Sequence, residues 1–409
     1  MQETLVRSKG YPLETHEVAT QDGYLLQMHR ILHGRDGHCG ANETGMACCE
    51  RGPVFVMTGL LADSASLVLD FPKQSLGYVL ADNGYDVWLG NVRGTTYGKK
   101  HKELEVKSKK FWNFSFHEHA IFDVPANIDY ILRETKRKDL LYIGMSQGTL
   151  TFFTMLAEKP WYNDKIKAFI GLAPFYKLGH LKVPPLAVFS PHAEAPLRQA
   201  YAAGSYEVLP QGMPIAGFVR HFCGHATRGI CSYLADNFAN FGSRYINESR
   251  LPVYLCHLPA GTSMKNVIHF DQLVKSKKFQ KFDYGPFYNK NYYGKVSPPI
   301  FLAPAQEHTM FETKLEVRSS CGRKIKFFGP GIGIARLLGS GRHDHRQNGM
   351  KFSDDFRKQA RAAEGRRGSG IGGPVDVAPG DTSFASSRLC NKDEQQKADD
   401  HMGSVDLST

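Results

Sequence analysis

The clearest pattern in the chain is an alternation of short apolar runs with amphipathic stretches between residues 54 and 173. The apolar runs are short, which predicts buried strands, and the stretch Ile121–Leu132 has its apolar residues at helical spacing. The predicted strands are Val54–Met57, Tyr85–Leu89, Leu140–Ile143 and Ala168–Ala173, preceded by a hairpin over Glu17–Leu32 with its turn at Gln21-Asp22-Gly23. This alternation predicts an α/β fold with a parallel sheet and helices on both faces.

Local signals also predict where two helices begin and end. Leu76–Asn83 is predicted to be a helix that ends at Gly84, because glycine is common just beyond a helix end. Asp123 is predicted to cap the helix that follows it, with Pro125 tolerated in the first turn.

The segment Leu140–Leu150 carries the clearest chemical signal. Four apolar residues run into Gly144-Met145-Ser146-Gln147-Gly148, and helical spacing follows. This order is typical of a nucleophile elbow, a sharp strand-to-helix turn that presents a serine hydroxyl above a sheet. A bare Gly-x-Ser-x-Gly also arises by chance, but the strand before it and the helix after it favour the elbow. The sequence therefore predicts acyl transfer through Ser146.

An acyl-transfer site needs two aligned N–H donors for its anionic intermediate. The first is predicted to come from Gln147, directly after the nucleophile, and the second from Leu60, in the loop after Val54–Met57. The alternative for Leu60 is an ordinary loop leucine that packs against the core.

Beyond Lys177 the regular alternation stops, and we predict four regions. They are a core with the elbow (1–176), a mostly helical cap over the site (177–295), a remnant of a core strand that includes Ile300–Ala303 (296–321), and a disordered tail (322–409). The tail is rich in Gly, Arg, Ser and Asp and lacks apolar periodicity, so it cannot bury enough surface to offset its ordering entropy. The alternative for the cap is a second, unrelated domain.

The composition and charge of the chain limit the kinds of partner that we expect it to bind. The chain has 409 residues, 42% of them hydrophobic, and a formal net charge of +11. Its lysine clusters Lys107–Lys110 and Lys275–Lys281 are short, and no nucleic-acid-binding motif accompanies them. A solvated basic face is the favoured interpretation, ahead of attraction to an anionic lipid surface, and no nucleic-acid partner is expected.

The eight cysteines and three glycosylation sequons favour an oxidising, secretory environment. Cys223 and Cys231 are close enough to close a small disulfide loop, which we favour over a metal site with His225 because the spacing is not a zinc pattern. The sequons lie at Asn42, Asn113 and Asn247. No signal peptide follows Met1, and no apolar run approaches the ~20 residues of a transmembrane helix.

Several motifs resemble those of the acid lipases, the family of gastric and lysosomal acid lipases and their arthropod relatives. They are Gly10-Tyr11-Pro12, Glu17–Tyr24, Gly59-Leu60-Leu61-Ala62, Asn91-Val92-Arg93-Gly94, Phe111–Phe116, Asp123-Val124-Pro125-Ala126, Gly144–Gly148, Leu251-Pro252-Val253-Tyr254 and Pro259–Ser263. The resemblance extends from Gly10 to about Pro299. It implies an α/β-hydrolase core with a lid, lipid-ester hydrolysis at a lipid–water interface without metal or organic cofactor, and secretory or lysosomal residence. Ser146 would be the nucleophile, with Leu60 and Gln147 as oxyanion donors.

The chain departs from the family at three places. Thr58 and Met145 stand where the family usually has histidines, and we expect both to be tolerated because neither supplies the reacting group. Beyond Pro299, the family's acidic strand and its His-x-Asp-Phe stretch are not found, so the C-terminal part of the fold is predicted to be incomplete. Candidate acids and bases there are Glu307, His308, His343 and His345, which we interpret as surface residues, while packing or surface roles are predicted for His221, His225, His257 and His269.

Three functional hypotheses remain open on the sequence alone. The first is a lipid-ester hydrolase, acting on triacylglycerols or steryl esters, with an unrecognised base. The second is a relative that binds lipid without catalysis, and the third is a truncated product of a lipase gene, since a shifted reading frame would produce the abrupt change in composition.

Overall fold

The computed structural model of the protein describes residues 2–35, 51–178, 194–212 and 250–301, and the backbone of three short strands beyond them. These residues all belong to one compact unit. Twelve strands occur in this described part: β1 (Glu14–Ala19), β2 (Tyr24–Ile31), β3 (Pro53–Met57), β4 (Asp86–Leu89), β5 (Lys100–His101), β6 (Leu140–Met145), β7 (Ile166–Leu172), β8 (Glu207–Val208), β9 (Thr262–Ser263), β10 (Glu316–Arg318), β11 (Lys324–Lys326) and β12 (Ile332–Ala335).

A mixed sheet forms the centre of the fold, in the spatial order β1-β2-β4-β3-β6-β7-β12, with β5 also paired to β2. The four strands β4, β3, β6 and β7 run parallel, as predicted. The outer strands β1, β2 and β12 are antiparallel to their neighbours. The predicted hairpin is present as β1 and β2, in register from Glu14 opposite Arg30 to Ala19 opposite Leu25.

Nine α-helices occur in the described part of the chain. They are α1 (Gln2–Val6), α2 (Leu76–Asp82), α3 (Phe116–Glu118), α4 (Val124–Thr135), α5 (Gln147–Glu158), α6 (Glu194–Ala202), α7 (Leu251–His257), α8 (Met264–Ser276) and α9 (Pro286–Tyr293). Helix α2 ends where predicted, with Gly84 in a left-handed conformation two residues after its last helical residue. Four of the helices, α6 to α9, lie in the region predicted as a cap. No helix of the described residues combines the length and the apolar character of a membrane span.

The central strand β3 shows how the sheet carries helices on both faces. Successive side chains of a strand point in opposite directions. Val54 and Val56 therefore join a core cluster that includes residues of α1 and α2, whereas Phe55 and Met57 join one that includes residues of α4 and α5. Every residue of β3 is buried, which fits the continuous apolar run in its sequence.

The predicted capping role of Asp123 is wrong. The chain is already helical before this residue, because α3 begins after Ser115 and a π-helical turn over His119–Asp123 leads into α4. Ser115 and Glu118 form a capping box at the true start, with the Ser115 N–H donating to Glu118 Oε2 at 2.6 Å. The Asp123 carboxylate instead accepts hydrogen bonds from the buried Arg93.

The C-terminal region differs from the prediction at two short segments. Strands β11 and β12 lie inside residues 322–409, for which no regular structure was predicted. Strand β12 pairs antiparallel with β7, and this pairing supplies backbone hydrogen bonds that the local Gly-rich composition did not reveal. Ile300 forms a single antiparallel bridge with Gln280, while Leu302 and Ala303 lie outside the described residues.

Candidate active site

Ser146 lies on a sharp turn between β6 and α5, as the sequence predicted. Its backbone has φ 51° and ψ −115°, a conformation that a residue with a side chain rarely adopts. The Ser146 N–H donates to the carbonyl of Leu172 in β7 at 2.8 Å, and the Ser146 carbonyl accepts from Thr149 N–H at 2.9 Å. Hydrogen bonds on both sides of the turn therefore hold the strained backbone in place.

The two glycines that flank Ser146 allow this turn to pack closely. A Cβ atom on Gly148 would lie 2.5 Å from the carbonyl oxygen of Met57, and one on Gly144 would lie 2.9 Å from the carbonyl carbon of Gly148. Both contacts are with backbone atoms, which cannot move aside. Glycine is required at these positions because α5 starts against β3 and folds back over β6.

The loop after β3 passes directly beside the nucleophile. A Cβ atom on Gly59 would lie 3.2 Å from Ser146 Cβ and 3.6 Å from Ser146 Oγ. The buried Thr58 fixes the loop through a hydrogen bond from its Oγ1 to the Ala62 carbonyl at 3.0 Å, and Ala260 N–H donates to the Leu61 carbonyl at 2.7 Å. Leu60, which directly follows Gly59, is thereby held beside the turn that carries Ser146.

The backbone N–H groups of Leu60 and Gln147 are the two donors predicted for an anionic intermediate. Gln147 is the first residue of α5, so the helix offers its N–H no partner. Among the described residues, Leu60 N–H also donates to no backbone carbonyl. Neither N–H group has a partner among the described residues, so both can donate to an oxyanion that forms next to Ser146.

A buried amide network holds the Gln147 side chain. Asn266, on α8, donates from Nδ2 to Gln147 Oε1 at 2.8 Å and to Thr262 Oγ1 at 3.0 Å, and Asn266 Oδ1 accepts from Phe116 N–H at 2.8 Å. His119 Nδ1 lies 3.4 Å from Gln147 Nε2 on the other side. Sequence reasoning identified neither Asn266 nor His119, because no local signal joins residues so far apart along the chain.

We expect Asn266→Leu to lower kcat for a soluble ester by about tenfold, with little change in KM. Loss of an entire oxyanion donor costs about 10²–10³ in kcat, and a donor that is present but poorly oriented should cost less. The matched control is Gln272→Leu, which removes another buried amide of α8 whose partners belong to Asp283. Equal kcat values in the two variants would contradict a positioning role for Asn266.

The part of the chain that the structure describes identifies no base or acid for the nucleophile. Within the described residues, no histidine or carboxylate is hydrogen-bonded to Ser146 Oγ. The candidates Glu307, His308, His343 and His345 lie outside those residues, as do His221, His225, Cys223, Cys231, Asn42 and Asn247. Of the predicted sequons, Asn113 is described, and it is exposed. No group of three metal-ligating side chains occurs in the part of the chain that is described.

Four described histidines are buried and uncharged. Burial lowers the pKa of His29, His119 and His269 to about 3 and that of His257 to about 4. His269 stacks on Phe116 at 4.2 Å and is hydrogen-bonded to Ser115 Oγ and to the Gln280 carbonyl. The predicted packing role of His257 and His269 therefore agrees with their burial.

These histidines predict that the free energy of unfolding falls as the pH decreases below about 6.5. The histidines of the unfolded chain bind protons there, whereas the buried imidazoles of the folded chain stay neutral. Each buried histidine should therefore lower the free energy of unfolding by about 1.4 kcal/mol per pH unit. Burial raises the pKa of Asp63 and of Asp123 to about 6, so these carboxyls act in the opposite sense between pH 6 and their unfolded values. The four histidines together change the free energy of unfolding more than the two carboxyls do. Urea unfolding should therefore show a lower stability at pH 5 than at pH 7. Equal or greater stability at pH 5 would contradict this balance.

Comparison with known proteins identifies the family. Residues 52–227 match the alpha/beta hydrolase fold family, and residues 3–70 match a partial alpha/beta-hydrolase lipase region. The chain is 38% identical over 298 residues to lysosomal acid lipase/cholesteryl ester hydrolase of Homo sapiens, covering 71% of each chain. It is 40% identical over 295 residues to gastric triacylglycerol lipase of Bos taurus, covering 71% of this chain and 72% of that protein. The elbow, the fold and these relatives together show that the chain belongs to the acid lipase family of α/β-hydrolases.

Proposed function

We propose that the protein hydrolyses carboxylic esters of lipids through an acyl-enzyme formed on Ser146. The observation that carries the proposal is the placement of the strained Ser146 turn against Gly59, with Leu60 and the start of α5 on either side. A serine hydroxyl held beside two N–H groups that can donate to an oxyanion is the arrangement that acyl transfer requires.

The described residues support the following steps. Ser146 Oγ attacks the ester carbonyl carbon while a base removes its proton, and the resulting oxyanion accepts hydrogen bonds from the Leu60 and Gln147 N–H groups. The intermediate collapses, the alcohol leaves with a proton, and the acyl group stays on Ser146 until water releases it as a fatty acid. In the family that the chain resembles, the base and its acid follow the position of Pro299. This sequence shows neither motif there, so no residue is assigned to either role.

The proposed substrates are triacylglycerols and steryl esters. Support comes from the relatives, which are named as a cholesteryl ester hydrolase and a triacylglycerol lipase. The surroundings also suit an apolar substrate, because Leu60 packs against a cluster that includes Phe116, Val267 and Phe270.

Fatty-acid release from emulsions of a triacylglycerol and of a cholesteryl ester tests this function. We expect release from at least one of them by the purified full chain. The alternative is a relative that binds lipid without catalysis, and a folded protein that binds the emulsion but releases no fatty acid would support that alternative and refute the proposal.

We further propose lysosomal or secreted residence. The names of the lysosomal and gastric relatives support it, and so does the exposure of Asn113 in its Asn-Phe-Ser sequon. When the chain is expressed behind a secretory leader in eukaryotic cells, Asn113→Gln should remove one glycan-dependent mass step. An unchanged mass in that variant would show that Asn113 carries no glycan.

A further inference from the structure

Large apolar side chains are exposed on one short segment of the protein. Five of the nine such side chains that are exposed in the described part of the chain lie between Phe287 and Ile300. Three of them belong to α9: Phe287 is 72% exposed, Tyr292 65% and Tyr288 58%. Single exposed apolar residues are common on protein surfaces, but a cluster of this kind marks an interaction site.

Internal contacts fix this arrangement of α9. The buried Asn289 donates to Asp283 Oδ1 at 2.8 Å and to the Val296 carbonyl at 3.0 Å. On the same inner side, the Tyr293 hydroxyl donates to the Phe282 carbonyl at 3.0 Å. Asn289 and the Tyr293 hydroxyl therefore point inward, whereas the other three aromatic rings of α9 are exposed, which is the reverse of an ordinary surface helix.

The segment is also cationic. It contains Lys290 and Lys295, and no Asp or Glu occurs between Pro286 and Ile300. Neither Lys290 nor Lys295 forms an ion pair with another described residue, and both side chains are exposed.

We propose that this surface, formed by Phe287, Tyr288, Tyr292, Lys290 and Lys295, docks the protein on an anionic lipid surface. Tyrosine and phenylalanine rings bury their apolar part at the level of lipid headgroups, and tyrosine keeps its hydroxyl hydrated there. Lysines beside them extend their stems along the apolar layer and place their ammonium groups among lipid phosphates. The combination fits an anionic membrane or emulsion better than a neutral one.

The docking surface is connected to the candidate active site through the start of α8. The Lys265 ammonium group lies 5.2 Å from the centre of the Tyr284 ring, and Tyr284 stacks on Tyr292 at 4.6 Å. The next residue, Asn266, binds the side chain of Gln147. The inference deepens the proposed lipid-ester hydrolysis and names the surface at which that reaction would take place.

Vesicle sedimentation of the full chain tests the proposal independently of catalysis. The Ser146→Ala protein is sedimented with phosphatidylcholine vesicles, with and without phosphatidylserine. We expect stronger binding with phosphatidylserine and an affinity about thirtyfold lower in Lys290→Gln/Lys295→Gln, since each lysine near an anionic surface contributes about fivefold.

Phe287→Ser/Tyr292→Ser should lose binding to both kinds of vesicle. The control is Trp161→Ser, which removes an aromatic ring that is 58% exposed elsewhere and should leave binding unchanged.

Three outcomes would overturn the proposal. The first is equal binding to both kinds of vesicle, and the second is equal loss of binding in the Trp161 control. The third is a dimer that the α9 variants dissociate while vesicle binding is absent, which would assign the surface to a second copy of the chain. Hydrolysis of a water-soluble ester by the α9 variants separates the two proposals: its persistence leaves the active site intact, and its absence in the wild-type protein would refute only the proposed reaction.

Discussion

Ester turnover should fall by about three orders of magnitude or more when Ser146 is replaced by alanine. The substitution removes the oxygen that forms the acyl-enzyme, so only the slow attack of water next to the Leu60 and Gln147 N–H groups would remain. Initial rates with a short-chain nitrophenyl ester measure this effect without the complication of an interface.

The structure also predicts that Ser146→Ala folds normally. No described side chain is hydrogen-bonded to Ser146 Oγ, and the backbone bonds from Ser146 N–H to Leu172 and from Thr149 to the Ser146 carbonyl do not involve the hydroxyl. Ser205→Ala, at an exposed serine, is the matched control and should keep full activity. Comparable turnover by the two variants would show that the ester is cleaved elsewhere.

Asp123→Ala should lower the free energy of unfolding by about 3–5 kcal/mol at neutral pH, the largest stability effect that we expect of a single substitution. Asp123 is completely buried, and it accepts from Arg93 Nε at 2.8 Å and from Arg93 N–H at 2.9 Å. Its removal leaves the Arg93 guanidinium group, which is 2% exposed, with only one of its two carboxylate partners. Such a group cannot reach water, and an arginine side chain does not lose its proton in a protein.

Asp22→Ala is the control for this prediction. Asp22 binds the same guanidinium group, with Arg93 Nη2 donating to Oδ1 at 2.7 Å, but its side chain is 28% exposed. Water can therefore replace part of the hydrogen bonding that Asp22 provides to Arg93. We expect Asp22→Ala to lower the free energy of unfolding by less than half as much as Asp123→Ala does. Urea unfolding monitored by fluorescence measures both variants, and equal losses would contradict the role assigned to burial.

The Arg93–Asp123 pair also bears on the candidate site. It joins the loop after β4 to the π-helical turn His119–Asp123, and His119 in that turn contacts Gln147. A loss of this pair should therefore loosen one side of the network that holds Gln147, the oxyanion donor at the start of α5. Asn266 supports the other side, from α8.

Features encoded by adjacent residues could be predicted from the sequence. The elbow at Ser146, the hairpin turn at Gln21-Asp22-Gly23 and the end of α2 all depend on a few neighbouring residues with specific backbone preferences. The packing of α5 against β3 follows from the same motif, since Gly144 and Gly148 leave room only for backbone.

Features that depend on distant partners could not be predicted in this way. Asp123 has the residue type of a helix cap, but its carboxylate accepts a hydrogen bond from Arg93 instead. The helical segment begins earlier, at the capping box of Ser115. Asn266 meets Gln147 across 119 residues of sequence. Strand β12 is a short Ile-Gly-Ile-Ala segment whose pairing with β7 depends on the sheet edge that it meets.

Covalent labelling tests whether Ser146 is an activated nucleophile. The folded chain is incubated with an activated phosphonate ester, digested, and its peptides are identified by mass spectrometry. We expect one phosphonate adduct, located on Ser146, and none in the Ser146→Ala variant. Complete absence of labelling in a cooperatively folded protein, or an adduct on another residue that persists in the Ser146→Ala variant, would contradict this expectation.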